Sequence, residues 1–229
     1  MRLSLQFLSL LLPLVVTLAP SLRAEPIATP AADPFAKWEK EISAFEEKDR
    51  ENPPPKGGIV FVGSSSIRKW VTLAADFPHH QVLNRGFGGS QIIDSVHFAD
   101  RIVLPYEPRM IVFYAGGNDL HARKNPEQVF ADFRAFVDKV RAKLPKTEIA
   151  FISIAGNPSR WAEVEQVKAT NVLIENYIKG QEGMKFINVF PRMLGSDGLP
   201  RPEIFVADRL HMNAEGYKLW TEIVGQYLP

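Results

Sequence analysis

The chain has 229 residues, 45% hydrophobic and 23% charged, with 27 basic against 26 acidic side chains and a net charge of +1. That length suits one buried core of about 200 residues, and the near-neutral balance, with no block of five like charges, provides no field for nucleic acid. Cysteine is absent, which excludes disulfides, thiolate metal sites and a thiol nucleophile; covalent chemistry has to use oxygen or nitrogen.

Residues 1–24 begin with Arg2, pass through an apolar centre from about Phe7 to Leu18 and reach Ala24 before Glu25, the order of a secretory signal. Pro13 and Pro20, with Ser4, Gln6, Ser9 and Thr17, weaken a membrane-spanning helix. Cleavage near Ala24 is therefore expected, leaving 25 basic against 26 acidic residues and a net charge of −1 on a chain exported to a periplasmic or extracellular space, with no stable membrane insertion. Residues 25–34, EPIATPAADP, read as a linker, and 35–229 as one domain.

Asp33-Pro34 opens a helix in which Phe35, Trp38, Ile42 and Phe45 recur at helical spacing, and ENPPPKGG ends it. Apolar strand-like runs follow at 58–63, 81–86, 109–116, 148–156 and 185–190. Helical patterns lie between them at about 66–75, 90–103, 126–143 behind Asn125-Pro126, and 161–180, with a last one over 214–227. Continuous apolar strands alternating with helices predict a three-layer α/β/α sandwich around a mostly parallel five-stranded sheet. In such a sheet ligands bind just past the carboxyl ends of the strands. Four stretches fall at such places: GSSS (63–66), NRGFGGSQ (84–91), AGGNDL (115–120) and VADRLHMNAEGY (206–217).

The glycines do not make a nucleotide site. Ser64 stands where a phosphate loop needs lysine, and GFGG lacks the third glycine of a dinucleotide fingerprint. The nucleophile elbow of α/β-hydrolases fails as well, because Ile67 occupies its last glycine position. What remains is a serine at a strand-to-helix corner. Its hydroxyl attacks only if a base takes its proton, and an imidazole serves only when a partner orients it. Asp208 and His211 are three apart in one turn, so Asp208 could bond a ring nitrogen or hold the loop; a capped helix start beside a surface histidine has the same spelling. A tetrahedral oxyanion then needs fixed donors. Gly89 offers a backbone N–H with no side chain in the way, and Asn118 offers an amide, although a turn alone would explain either.

Within GSSS, Ser65 is read as the attacking oxygen, Ser66 as a helix cap and Ser64 as a turn residue. In GNPSRW (156–161), Arg160 or Trp161 could touch substrate, or the segment is a helix start with Trp161 packed inward. His79, His80, His97 and His121 have no carboxylate at metal-ligand spacing, which points to surface or packing roles and to no metal. Asp119 braces its loop, and Trp38 and Trp220 belong to the core.

Taken in order, FVGSSSI, NRGFGG, GGND and DRLH resemble the four blocks of the GDSL-like or SGNH hydrolases, in the branch similar to the catalytic subunits of platelet-activating-factor acetylhydrolase, over residues 58–222. The resemblance implies a flavodoxin-like sheet and hydrolysis of esters or thioesters without a cofactor. It also implies Ser65 as nucleophile, Asp208 and His211 as its partners, and an oxyanion hole from Ser65, Gly89 and Asn118. Ser64 replaces the Asp of the usual Gly-Asp-Ser. The expectation is an exported serine esterase for short acyl groups, such as acetyl esters of carbohydrates or lipids, on a small-molecule or glycan substrate. An acyltransferase on cell-wall or polysaccharide acyl groups, or a non-catalytic glycan-binding module, are the alternatives. No long insertion is available to form a lid, which favours an open site.

Overall fold

The computed structural model describes residues 33–229, so the expected leader over 1–24 and linker residues 25–32 lie outside the described residues. A 3₁₀ turn, Ala36–Trp38, leads into α1 (Glu39–Glu51). Then come β1 (Ile59–Gly63), two single turns α2 (Ser65–Arg68) and α3 (Leu73–Asp76), β2 (Val82–Gly86), α4 (Ile92–Ile102), β3 (Met110–Tyr114), α5 (Gly117–His121) and α6 (Pro126–Lys143). The chain continues with β4 (Glu148–Ile152), a 3₁₀ turn Pro158–Glu163, α7 (Val164–Lys179), β5 (Met184–Ile187) and α8 (Ala214–Val224).

All five strands are parallel, in the order β2-β1-β3-β4-β5. This is the flavodoxin-like order, in which the chain winds one way from β1 to β2 and the other way from β3 onward. Alternate strand residues feed two cores. Val60, Val62, Ile111, Phe113, Ile149 and Phe151 face a cluster with residues of α1, α4, α6 and α7. Ile59, Phe61, Met110, Val112, Ala150 and Ile152 face one with α2, α3 and α8. A strand covered on both faces has no polar side to show, which is why β1 and β3, and β4 after Glu148, read as continuously apolar, whereas the edge strands β2 and β5 carry Asn84, Arg85 and Lys185. Among the described residues no helix is long and apolar enough to cross a membrane.

Local chemistry sets several element ends. Asn125 Oδ1 accepts the Gln128 N–H at 2.8 Å while Gln128 Oε1 accepts the Asn125 N–H at 2.9 Å, a reciprocal cap in front of Pro126. The helix expected over 66–75 is instead two turns. Trp70, 1% exposed, turns inward against Phe61, Phe77 and Trp220, and donates Nε1–H to Asp76 at 2.6 Å, leaving Val71 at 90% exposure. Burying that indole breaks the helical path. The helix expected from 161 begins at Val164, because Asn157 caps a 3₁₀ turn ahead of it. On the β2 edge, Arg85 is 5% exposed, lies 4.9 Å from the Phe45 ring and 4.8 Å from the Tyr106 ring, and pairs with Asp49, which ties α1 to the sheet.

Gly63 ends β1 at φ +138°, paired with Gly86 of β2 and Tyr114 of β3. A Cβ there would lie 1.8 Å from the Tyr114 carbonyl oxygen. Gly63→Ala should therefore cost on the order of 3 kcal/mol, from strain plus displacement of β3. Chemical denaturation of the purified variant measures this; a loss under about 1 kcal/mol contradicts the close approach.

Candidate active site

Four loops meet where the sheet order reverses. The first is the β1–α2 corner. Ser64 donates its N–H to Tyr114 O at 3.1 Å, continuing the sheet for one residue, and its carbonyl accepts the N–H groups of Ile67 and Arg68. Ser65 is thereby the first residue of α2, its N–H among the orphan donors of a first turn. The cap expected of Ser66 is not made. Ser66 lies within that turn, and its carbonyl accepts the Tyr217 hydroxyl at 2.9 Å. No side chain caps α2, because a neighbouring strand carbonyl already fixes the corner.

The second loop leaves β2. The Phe87 N–H reaches Gly63 O at 3.0 Å and Ser90 Oγ bonds Phe87 O at 3.0 Å, so the turn folds back on β1. Gly89 takes φ +76°, a conformation costly for a residue with a side chain. Neither its N–H nor that of Ser65 has a protein acceptor among the described residues.

The third loop, after β3, is stitched to the second. Asn118 Nδ2 donates to Ser90 O at 2.9 Å. Asp119, fully buried, accepts the Ile92 N–H at the start of α4 through both oxygens at 3.2 Å and the Lys124 ammonium at 3.0 Å. Burial pushes its carboxyl above the ordinary value, and Lys124 opposes that shift. Asp119 thus braces its loop.

The fourth loop, 205–212, is closed by an antiparallel bridge between Phe205 and Met212 and by Val206 N–H to His211 O at 2.9 Å. Arg209 at its tip has φ +57°. Asp208 does both things its spacing allowed. Oδ1 accepts the N–H groups of Leu210 and His211, each at 2.9 Å, while Oδ2 lies 2.6 Å from His211 Nδ1. His211 Nε2 in turn lies 2.9 Å from Ser65 Oγ, across 146 residues of sequence. The bond from His211 and the two backbone N–H bonds hold the Asp208 carboxyl well below the usual range.

The cleft over this corner is lined by Ser65, Asn118, Arg160, Trp161 and His211 together with Tyr114; Gly89 and Asp208 stand outside its lining. It opens to solvent, with a cavity volume of only about 40 Å³. Trp161 forms part of the wall beside Gly156, and Arg160 is bonded to Asn118. The remaining histidines are spread out: His97 stacks on Phe35, His80 faces Arg109, His121 pairs with Glu163 and His79 is exposed. Sequence reading missed the bridging role of 157–163; its one signal was the Asn-Pro helix start after β4.

A hydroxyl joined through an imidazole to an ionised carboxylate, beside unpaired N–H donors at a sheet switch point, is a layout suited to acyl transfer. Residues 62–219 match the GDSL-like lipase/acylhydrolase family; the chain belongs to it and is a carboxylic ester hydrolase. No curated protein matches the chain. Among solved structures it is similar to a "platelet activating factor" from Streptococcus pneumonia (TM-score 0.75, 20% identity, 85% of this chain and 94% of that one). A GDSL-like lipase from Bacteroides thetaiotaomicron aligns with TM-score 0.70 and 20% identity over 81% of this chain and 96% of its own. A mutant acetyl-xylooligosaccharide esterase from Geobacillus stearmophilus aligns with TM-score 0.60 and 12% identity over 76% and 94%. At these identities the likeness speaks for the fold.

Folding favours the ionised form of Asp208, so its contribution to stability is complete above the ordinary carboxylate value of about 3.9 and fades as pH falls through the lower folded value. Its side chain is 45% exposed, so solvent screening keeps the contribution small. The stability deficit of Asp208→Asn relative to the parent should persist at pH 5 and shrink only below about pH 4. Thermal melts across that range check it, and a deficit that vanishes by pH 5 contradicts the assignment.

Proposed function

We propose that the protein is an exported serine esterase that removes short acyl groups, acetyl above all, from carbohydrate esters. The observation that carries this reading is the chain Asp208–His211–Ser65, with contacts of 2.6 and 2.9 Å, opening on a cavity of about 40 Å³. A small cleft that opens to solvent suits a short acyl group such as acetyl better than a long lipid tail. Export rests on the leader-like residues 1–24. The similarity to an acetyl-xylooligosaccharide esterase and to a carbohydrate esterase from Talaromyces cellulolyticus supports a carbohydrate substrate.

In this reading Ser65 Oγ attacks the ester carbonyl carbon as its proton passes to His211 Nε2. Asp208, kept ionised, holds the ring through Nδ1 and stabilises the imidazolium that forms. The N–H groups of Ser65 and Gly89 and the Asn118 amide receive the oxyanion. Collapse of the tetrahedral species expels the alcohol, which takes the proton from His211. Water then attacks the acyl-enzyme, with His211 again as base, and the acid leaves.

Purified chain lacking residues 1–24 should hydrolyse p-nitrophenyl acetate, and Ser65→Ala should lower kcat/KM by about 10⁴-fold or more. The rate should fall at least about tenfold from acetyl to butyryl esters as added methylenes outgrow the cavity. Full activity in Ser65→Ala overturns the nucleophile; equal rates on acetyl and octanoyl esters overturn the acyl-size limit.

A further inference from the structure

We propose that Arg160 is a positioning residue that holds and polarises Asn118 as an oxyanion donor, an inference resting on the esterase reading above. Arg160 Nη1 donates to Asn118 Oδ1 at 2.9 Å and to Gly117 O at 3.2 Å. An amide has two ends, and each neighbour can take only one of them. The Ser90 carbonyl only accepts, so it selects Nδ2; a guanidinium only donates, so it selects Oδ1. Both contacts impose the same orientation of the amide plane. What they leave over is one Nδ2–H on a side chain that lines the cleft with Ser65. A cation bonded to the oxygen also draws density from the amide, which strengthens that remaining donor.

The segment carrying Arg160 is built to be rigid. The Asn157 side chain accepts the Arg160 N–H at 3.0 Å, and Ser159 donates its N–H to Arg209 O at 3.0 Å, inside the loop that carries Asp208 and His211. One turn along α5 from Asn118, His121 Nδ1 lies 2.7 Å from Glu163 Oε1, three residues after Arg160. This second contact clasps the same two elements without touching the Asn118 amide. His121 is more than half exposed there, so its pairing contributes little. The turn at 157–163 therefore sets the spacing between the Asn118 loop and the His211 loop, and only Arg160 acts on the donor itself.

A merely structural arginine would reduce stability and act regardless of what stands at 118. A positioning arginine acts through Asn118. The test is a double-mutant cycle on hydrolysis of p-nitrophenyl acetate by the chain lacking residues 1–24, with melting temperatures measured alongside. Arg160→Met should lower kcat about tenfold with KM within twofold, and Asn118→Ala about 10²-fold. The double variant should fall no more than about twofold below Asn118→Ala, since the arginine then has no amide to hold. Arg160→Lys should recover part of kcat, guanidinium ion should raise the rate of Arg160→Ala but not of Arg160→Ala/Asn118→Ala, and His121→Ala should stay within about twofold of the parent. Additive losses, or rescue by guanidinium independent of residue 118, overturn the proposal even where Arg160→Met folds poorly, because the lysine and rescue arms are read on folded protein. Ser65→Ala, run in parallel, separates the two readings: activity surviving it overturns the esterase reading and this inference together, whereas an inactive Ser65→Ala beside an additive cycle overturns this inference alone.

Discussion

No side chain can stand at position 63, and the site is arranged around that vacancy. A Cβ would penetrate the Tyr114 carbonyl, so only glycine lets β1 end against β3 and hand its next N–H, from Ser64, to the same oxygen. The Gly63 carbonyl in turn receives the Phe87 N–H from the neighbouring loop, and the Ser90 hydroxyl approaches it at 3.3 Å. Three strand ends are locked together by backbone atoms before any catalytic side chain is placed. Ser65 inherits its position from this lock. A corner made by side-chain capping would have moved with the rotamer of the cap; one made by main-chain carbonyls moves only if the sheet does.

From that corner outward, polar groups tie loop to loop. Asn118 reaches Ser90, Asp119 reaches Ile92, Arg160 reaches Gly117 and Asn118, and Ser159 reaches Arg209. A neutral bond of this kind adds only about 0.5–1.5 kcal/mol to stability and one to a charged group about 1.5–3 kcal/mol, so no single one is decisive for folding. Under the proposed esterase reading their value lies in fixing donors before charge develops, since a dipole that has to turn toward an oxyanion loses much of what it could supply. Apolar packing bears the larger load beneath. Tyr114 and Trp220 meet at 4.8 Å and Trp70 and Tyr217 at 5.4 Å, seating α8 on the sheet directly behind the loop that bears His211.

How much of this the sequence discloses follows from how local each cause is. The three central strands were legible because burial on both faces forces an apolar run, and α6 because Asn125, Pro126 and Gln128 carry its cap within four residues. The break between α2 and α3 was not legible, since it comes from Trp70 seeking partners at 61, 77 and 220. Ser66 misled for a similar reason: the corner is fixed by the Tyr114 carbonyl accepting the Ser64 N–H, so the helix starts one residue earlier and Ser66 falls inside it. Ser65, Gly89, Asn118, Asp208 and His211 were singled out in four short blocks with roles implied by the resemblance; the structure joins Asp208, His211 and Ser65 in one chain of contacts and puts Asn118 in the same cleft, with Gly89 outside its lining. Arg160 was visible only as a residue near the crevice. Its bond to Asn118 spans 42 positions, and no spacing rule encodes it.

The placement of Asp208 shows why such a site fits a small domain. An ionised carboxylate buried with its imidazole would cost several kcal/mol in desolvation and would need a deep pocket. Here the carboxylate is nearly half exposed, and its geometry comes from two backbone N–H groups within three residues. The same turn that builds the loop therefore aims the imidazole, and water bears most of the charge. Burial falls instead on His211, whose side chain is 16% exposed and lines the cleft beside Ser65. Where this fold does bury charge, at Asp119 with Lys124 and at Arg85 with Asp49, the pair braces a loop or an edge strand. Asp208, on a self-closed surface turn, orients the imidazole without any such burial.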